Sequence, residues 1–185
     1  MTPQTSDAQS DSQYADSQYA DSIRFLLSDV DGVMTDGRII YGSDGTETKR
    51  FHVRDGLAIK AWMQSGFHFG ILTARDSPMV TRRAAELGIE AVMQGRRDKW
   101  PAAMEMFQSL GCTPDQVCYI GDDLPDLAVM RHVGLSVAPA DAAQDVRESA
   151  DWVLNTRGGD GAIRELIERL LRAGKRWEEY VRRSG

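Results

Sequence analysis

From Ile23 onward the chain alternates short apolar runs with amphipathic stretches, and this alternation restricts the fold more than any other feature of the sequence. Apolar runs of that length, bounded by polar turns, are strands buried on both faces. They are predicted over 23–29, 67–73, 91–93, 117–120, 135–137 and 152–154. Helical signals lie between them. Asp76, Ser77 and Pro78 supply a start, Gly88 a stop, and Met79, Val80, Ala84 and Leu87 an apolar stripe of helical spacing. Lys99 to Leu110, stopped at Gly111, reads the same way. The last predicted helix runs from about Ala162 to Ala173, with Ile163, Leu166, Ile167, Leu170 and Leu171 facing the core. Strand and helix in alternation imply an α/β fold: a doubly wound, mostly parallel, Rossmann-like sheet covered on both faces, with ligands at the carboxyl ends of its strands.

One segment breaks the pattern. Arg38-Ile-Ile-Tyr, a Gly42-Ser-Asp-Gly turn and the run Thr46 to Phe51 predict a β-hairpin at about 38–52, because Asp-Gly between two strand-like runs favours a tight turn. It follows the acidic loop after the first strand, so it is expected to stand over the sheet's carboxyl edge as a short flap. Two strands alone are marginal in water and leave open edges, and the flap is therefore expected to pack against another subunit.

With 185 residues the chain can bury one proper core, and a single domain over 22–185 is expected. Residues 1–21 are polar and repeat Asp11-Ser-Gln-Tyr-Ala as Asp16-Ser-Gln-Tyr-Ala, which predicts a disordered tail. A formal charge of −6 argues against a nucleic-acid partner. The basic residues Arg169, Arg172, Lys175, Arg176, Arg182 and Arg183 gather near the end, either as a solvated helix face or as a reach toward a small anion. No segment has the length and apolarity of a membrane span, and Cys112 and Cys118 are too few for a disulfide framework. A cytoplasmic enzyme is the expectation.

The chemistry concentrates in loops after predicted strands. Asp29-Val-Asp31-Gly32 leaves the first strand with both acids on one side and a glycine that lets the backbone turn. Two such acids are costly together unless a cation joins them, and magnesium suits a few carboxylates plus water and phosphate. By itself this is also an ordinary Asp-Gly turn. Gly121-Asp122-Asp123-Leu-Pro-Asp126 follows another apolar strand, and alone it reads as an acidic turn with Asp123 capping a helix that Pro125 begins. Taken together, the two loops make a metal site. Thr73 ends a strand where its hydroxyl and nearby free N–H groups can hold phosphate oxygens, or where it simply caps a turn. Lys99 can offer a point charge to phosphate or to Asp29, or sit in a solvated helix start.

In this order DVDGVMTDG, ILTAR, Lys99 and GDDLPD resemble the four motifs of the haloacid dehalogenase-like hydrolases, across nearly everything from Ile23 onward. Within that superfamily the short hairpin in place of a cap domain, FHVRDG, TARDSP and RGGDGAIRE resemble the 3-deoxy-D-manno-octulosonate 8-phosphate phosphatases. The resemblance implies Asp29 as nucleophile, Asp31 as acid and then base, and Thr73 and Lys99 as phosphoryl-binding residues. It implies magnesium on Asp29, the backbone carbonyl of Asp31 and Asp122, with Asp123 and Asp126 supporting the metal loop. An acid two residues after the nucleophile favours phosphoester hydrolysis, since an alkoxide needs a proton and a halide does not. Arg54, Arg75 and Arg157 are candidates for the substrate's carboxylate or phosphate, each with a plain surface reading. Ala74 departs from the glycine that close relatives often carry.

The expected reaction is magnesium-dependent hydrolysis of 3-deoxy-D-manno-octulosonate 8-phosphate, by a homotetramer built around the hairpins. A nine-carbon keto-deoxy-sugar phosphate is the nearest alternative substrate. A phospho-receiver signalling module also sets acids, Thr and Lys around magnesium, but it carries its acidic pair after the first strand, the reverse of the order here. A mutase needs a water-excluding lid, and the hairpin is short for one.

Overall fold

The computed structural model describes residues 16–184. Its main sheet is wholly parallel and has the order β5-β4-β1-β6-β7-β8, built from β1 (Phe25–Ser28), β4 (His68–Leu72), β5 (Ala91–Met93), β6 (Val117–Ile120), β7 (Leu135–Ala138) and β8 (Trp152–Val153). Alternation along β1 divides the core. Leu26 faces a layer with α2 (Val53–Gln64), α3 (Pro78–Leu87), α7 (Ala162–Ala173) and Trp177 of α8 (Trp177–Ser184), whereas Phe25 and Leu27 face α4 (Lys99–Leu110), α5 (Leu127–Met130) and α6 (Gln144–Ser149). The doubly wound architecture expected from the alternation is present.

Register decides where the chemistry lies. Ser28, the last residue of β1, pairs with Ile71 on one side and Ile120 on the other. The three chains therefore leave the sheet side by side, which brings Asp29, Thr73 and Asp122 to one rim. The helix boundaries follow the predicted local signals: α3 starts after Ser77 with Pro78 at its head, and Gly88 and Gly111 end α3 and α4 at φ of +76° and +66°.

Helix α2 carries no clear stripe in the sequence. Its first turn holds Arg54, Asp55 and Gly56, and Val53 and Leu57 point to solvent. Gly56 is there for packing, since a Cβ would lie 2.4 Å from the Arg83 guanidinium and 3.0 Å from Leu87 on α3. The hairpin is the antiparallel pair β2 (Ile40–Tyr41) and β3 (Glu47–Thr48), with Tyr41 opposite Glu47.

The predicted disordered tail is corrected in part. Residues 1–15 lie outside the described residues, but 16–22 form a helix, α1. Ala20 is buried, Tyr19 meets Trp152 edge to face at 5.3 Å, and Asp16 accepts two hydrogen bonds from Arg169, whose guanidinium lies 3.6 Å over the Trp152 ring. One tyrosine and one alanine in a polar repeat suffice to dock it, because β8 is an edge strand with an indole to cover. The basic residues at the end take their plain reading. Arg172 pairs with Glu168 and Glu178, Arg183 pairs with Glu179, and none of the cluster lines the cavity described next.

Candidate active site

The loop after β1 turns tightly, with the Val30 carbonyl accepting from the N–H groups of Val33, Met34 and Thr35. Gly32 makes the turn at φ +97°, and a Cβ there would lie 2.0 Å from Asp122 Oδ2, so this position excludes every side chain on two counts. The loop is held from behind by Gly158 and Gly159 of the RGGDG segment. A Cβ on Gly158 would stand 1.8 Å from the Gly32 carbonyl oxygen, and the Gly159 N–H donates to the Val33 carbonyl at 2.9 Å.

The second acidic loop is organised by Asp126. Its Oδ2 accepts from the backbone N–H groups of Asp122 at 2.9 Å and Asp123 at 3.1 Å. Its Oδ1 accepts from Lys99 Nζ at 2.6 Å and from the Tyr119 hydroxyl at 2.6 Å. Asp123 caps the following turn, its Oδ1 accepting from Leu124 N–H at 2.8 Å. Lys99, the first residue of α4, is buried and also reaches Asp29 Oδ1 at 2.8 Å.

Asp29, Asp122 and Asp126 each offer an oxygen within 4.8 Å of the others. Burial, together with neighbouring carboxylate charge, makes Asp29 and Asp122 reluctant to ionise. The Asp29 carboxyl is raised to about 6, mostly by burial, with Lys99 opposing the rise. Burial, then the charges of Asp29, Asp126 and Asp123, raises Asp122 to about 8. Burial pushes Lys99 down, but Asp29 and Asp126 outweigh it and hold the ammonium above its ordinary value.

These groups line a cavity of about 310 Å³ that also includes Asp31, Thr73, Ala74, Arg75 and, from the approach to the hairpin, Gly37 and Ile39. Thr73 is buried at the end of β4, its N–H donating to the Met93 carbonyl and its Oγ1 accepting from Arg75 N–H at 3.3 Å. Asp31 does not join the carboxylate cluster; its side chain turns to Lys49 and Arg75.

Residues 90–166 match the family model of the haloacid dehalogenase-like hydrolases. Over 157 residues, 85% of this chain and 84% of the relative, the sequence is 45% identical to the 3-deoxy-D-manno-octulosonate 8-phosphate phosphatase KdsC of Yersinia pestis. The chain belongs to the 3-deoxy-D-manno-octulosonate 8-phosphate phosphatase family. The crystal structure of that phosphatase from Moraxella catarrhalis, in complex with magnesium, phosphate and KDO, superposes with a TM-score of 0.89 at 40% identity, covering 92% of this chain and 98% of that one. The cobalt-bound phosphatase of Haemophilus influenzae gives a TM-score of 0.83 at 43% identity, covering 86% of this chain and 94% of the other.

Membership in this phosphatase family sets aside the receiver reading, in agreement with the order of the acidic motifs. Of the sequence-predicted residues, Asp29, Asp31, Thr73, Lys99, Asp122, Asp123, Asp126 and Arg75 meet at the cavity. Arg54, exposed on the first turn of α2, and Arg157, exposed and 3.3 Å from Asp141, do not line it.

The donor set fits a small hard cation. Asp122 Oδ1 is buried with no hydrogen-bond partner, whereas both oxygens of Asp126 are spent on Lys99, Tyr119 and the loop amides. A lone buried carboxylate oxygen facing a second carboxylate is what a divalent ion satisfies. Tyr119, Glu47 and Lys49 were not legible as site residues. Tyr119 sits in an apolar strand, and Lys49 and Glu47 read as solvent-facing charges on an edge.

Proposed function

We propose that this protein hydrolyses 3-deoxy-D-manno-octulosonate 8-phosphate to the free sugar acid and inorganic phosphate, a step that serves lipopolysaccharide precursor synthesis. The observation that carries the reading is the buried Asp29 carboxylate, set between Lys99 and the unpaired oxygen of Asp122 in a cavity whose rim holds Asp31. Magnesium would be held by Asp29, the Asp31 backbone carbonyl and Asp122. When bound, it supplies positive charge against the phosphoryl oxygens.

The rest is done by the chain. Asp29 attacks phosphorus and forms an aspartyl-phosphate as the ester oxygen leaves with a proton from Asp31. Water then attacks the same phosphorus, gives its proton to Asp31 and frees Asp29. Lys99 and Thr73 hold the phosphoryl oxygens. Asp126 fixes both Lys99 and the Asp122 amide, so a single carboxylate orients the cation and the metal loop together. Arg75 is the arginine suited to the sugar's carboxylate, since it alone of the three predicted arginines lines the cavity.

Phosphate release from a panel of phosphosugars with magnesium tests the substrate. The eight-carbon ester should exceed the nine-carbon one in kcat/KM by about tenfold or more, the scale of a well-read pocket difference. Preference for another phosphosugar would move the substrate and leave the chemistry; release from none would end the phosphatase reading.

The functional unit is a homotetramer in this reading. Ile39, Ile40 and Tyr41 of the hairpin and Val53 and Leu57 of α2 are all exposed, apolar surface that association between copies would cover. Light scattering should give four copies, and Tyr41→Glu should lower that number; a wild-type monomer at full activity would refute it. A cytoplasmic setting is supported by two free cysteines, one fully buried.

A further inference from the structure

The Lys49 side chain is buried although the residue belongs to a largely exposed hairpin. The Lys49 side chain is 1% exposed, and its ammonium meets Asp31 Oδ1 and lies 3.4 Å from Glu47 Oε1. Glu47 Oε2 accepts from Arg75 Nη2 at 3.2 Å, and Arg75 Nε stands 3.6 Å from Asp31 Oδ2. The four charges close a ring in which acids and bases alternate. Within it the two oxygens of Asp31 differ: Oδ1 is bound by Lys49, whereas Oδ2 is buried and has no hydrogen-bond partner. A carboxylate free to rotate presents either oxygen. One tethered at Oδ1 presents only Oδ2.

We propose that Lys49 is a positioning residue for the reaction: by tethering Asp31 Oδ1 it leaves Oδ2, the oxygen without a hydrogen bond, as the atom that gives and takes the proton. This rests on the phosphatase reading above and adds to it a residue on the flap. A misplaced acid matters where the leaving oxygen needs a proton and little where it does not, and this difference separates positioning from simple structural damage.

The test uses the full chain with magnesium, two substrates and the variants Lys49→Met and Lys49→Arg. With the sugar phosphate, whose leaving group is an alkoxide, Lys49→Met should lower kcat by about 30- to 100-fold with KM within about threefold, a fraction of the usual general-acid contribution. With p-nitrophenyl phosphate the nitrophenolate leaves unaided. There the first turnover should stay within about threefold of wild type and appear as a burst, because only the later attack of water needs Asp31. Lys49→Arg should restore part of the loss. In an Asp31→Asn background, Lys49→Met should have almost no further effect on either substrate.

Equal loss in the first turnover of both substrates, a change confined to KM, or undiminished kcat on the sugar phosphate would overturn the proposal while wild-type turnover upheld the phosphatase reading. A wild-type chain inert toward both esters would overturn the two together. Should Lys49→Met melt well below wild type, Lys49→Gln carries the same comparison, with the same outcomes deciding.

Discussion

Asp29→Asn is expected to remove turnover, by about 10⁴-fold or more, while leaving the fold at least as stable as before. Asparagine keeps the shape of the side chain and loses the anionic oxygen that must bond to phosphorus. No neighbour can take over. Asp122 faces the same cation position, both oxygens of Asp126 are occupied, and Asp31 is tied to Lys49. Stability should hold because burial is the largest influence on Asp29 and opposes its charge, and Lys99 retains Asp126 at 2.6 Å when Asp29 is neutralised. Neutralising Asp29 also removes one of the charges that raise Asp122. The measurements are phosphate release and thermal melting on the same preparation. Residual turnover above about a hundredth of wild type, with the melt unchanged, would mean that another group makes the covalent bond.

The second large effect joins magnesium to pH. Asp29 and Asp122 have ordinary values of 3.8 and are raised in the fold to about 6 and about 8. The folded chain therefore holds these protons more tightly than the unfolded chain. The stability they contribute is fully present below about pH 3.8 and is lost as pH rises through about 6 for Asp29 and about 8 for Asp122. Metal-free protein should melt lower at pH 8.5 than at pH 5.5. Magnesium binds the ionised carboxylates, so its affinity should rise by up to about tenfold per pH unit between about pH 6 and pH 8, where Asp122 alone is still ionising, and more steeply below, where Asp29 ionises too.

The gap between melting curves with and without magnesium should widen from near zero at pH 5 to more than about 5 °C at pH 8.5. Asp55, raised to about 6 by burial on α2, adds to the metal-free loss, but it does not line the cavity, so magnesium should leave its share unrelieved. Chelation should abolish turnover at every pH, and Asp122→Asn should flatten the pH dependence of the magnesium effect. A magnesium shift that is constant from pH 5 to 8.5 would show that the ion binds away from these carboxylates.

How far the sequence reaches can be followed residue by residue. Helices α3, α4 and α7 lie where their punctuation puts them, because Pro78, Gly88 and Gly111 act through local backbone preferences that packing has no reason to override. Helix α2 was hidden because Gly56 weakens local propensity, and its reason is the close approach of Arg83 from another helix. Tyr119 was hidden because a hydroxyl at the end of an apolar strand looks like core until Asp126 is seen to bond it. Lys49 was hidden for the opposite reason: an edge lysine reads as solvated, and only the fold of the flap buries its ammonium against Asp31.

Order and spacing along the chain determined the kind of sheet, the strands that carry acids, and the placing of two carboxylates on one side of the chain that leaves β1, since all of these follow from periodicity and backbone preference acting over a few residues. Tertiary structure alone decided which oxygen is free. The register that sets Ser28 level with Ile71 and Ile120 brings the loops together, Asp126 takes up the amides and Lys99, and Asp122 Oδ1 and Asp31 Oδ2 are left buried without a hydrogen bond. Hydrogen-bond supply at a buried point is the sum of what several distant segments deliver there, so no segment read singly contains it.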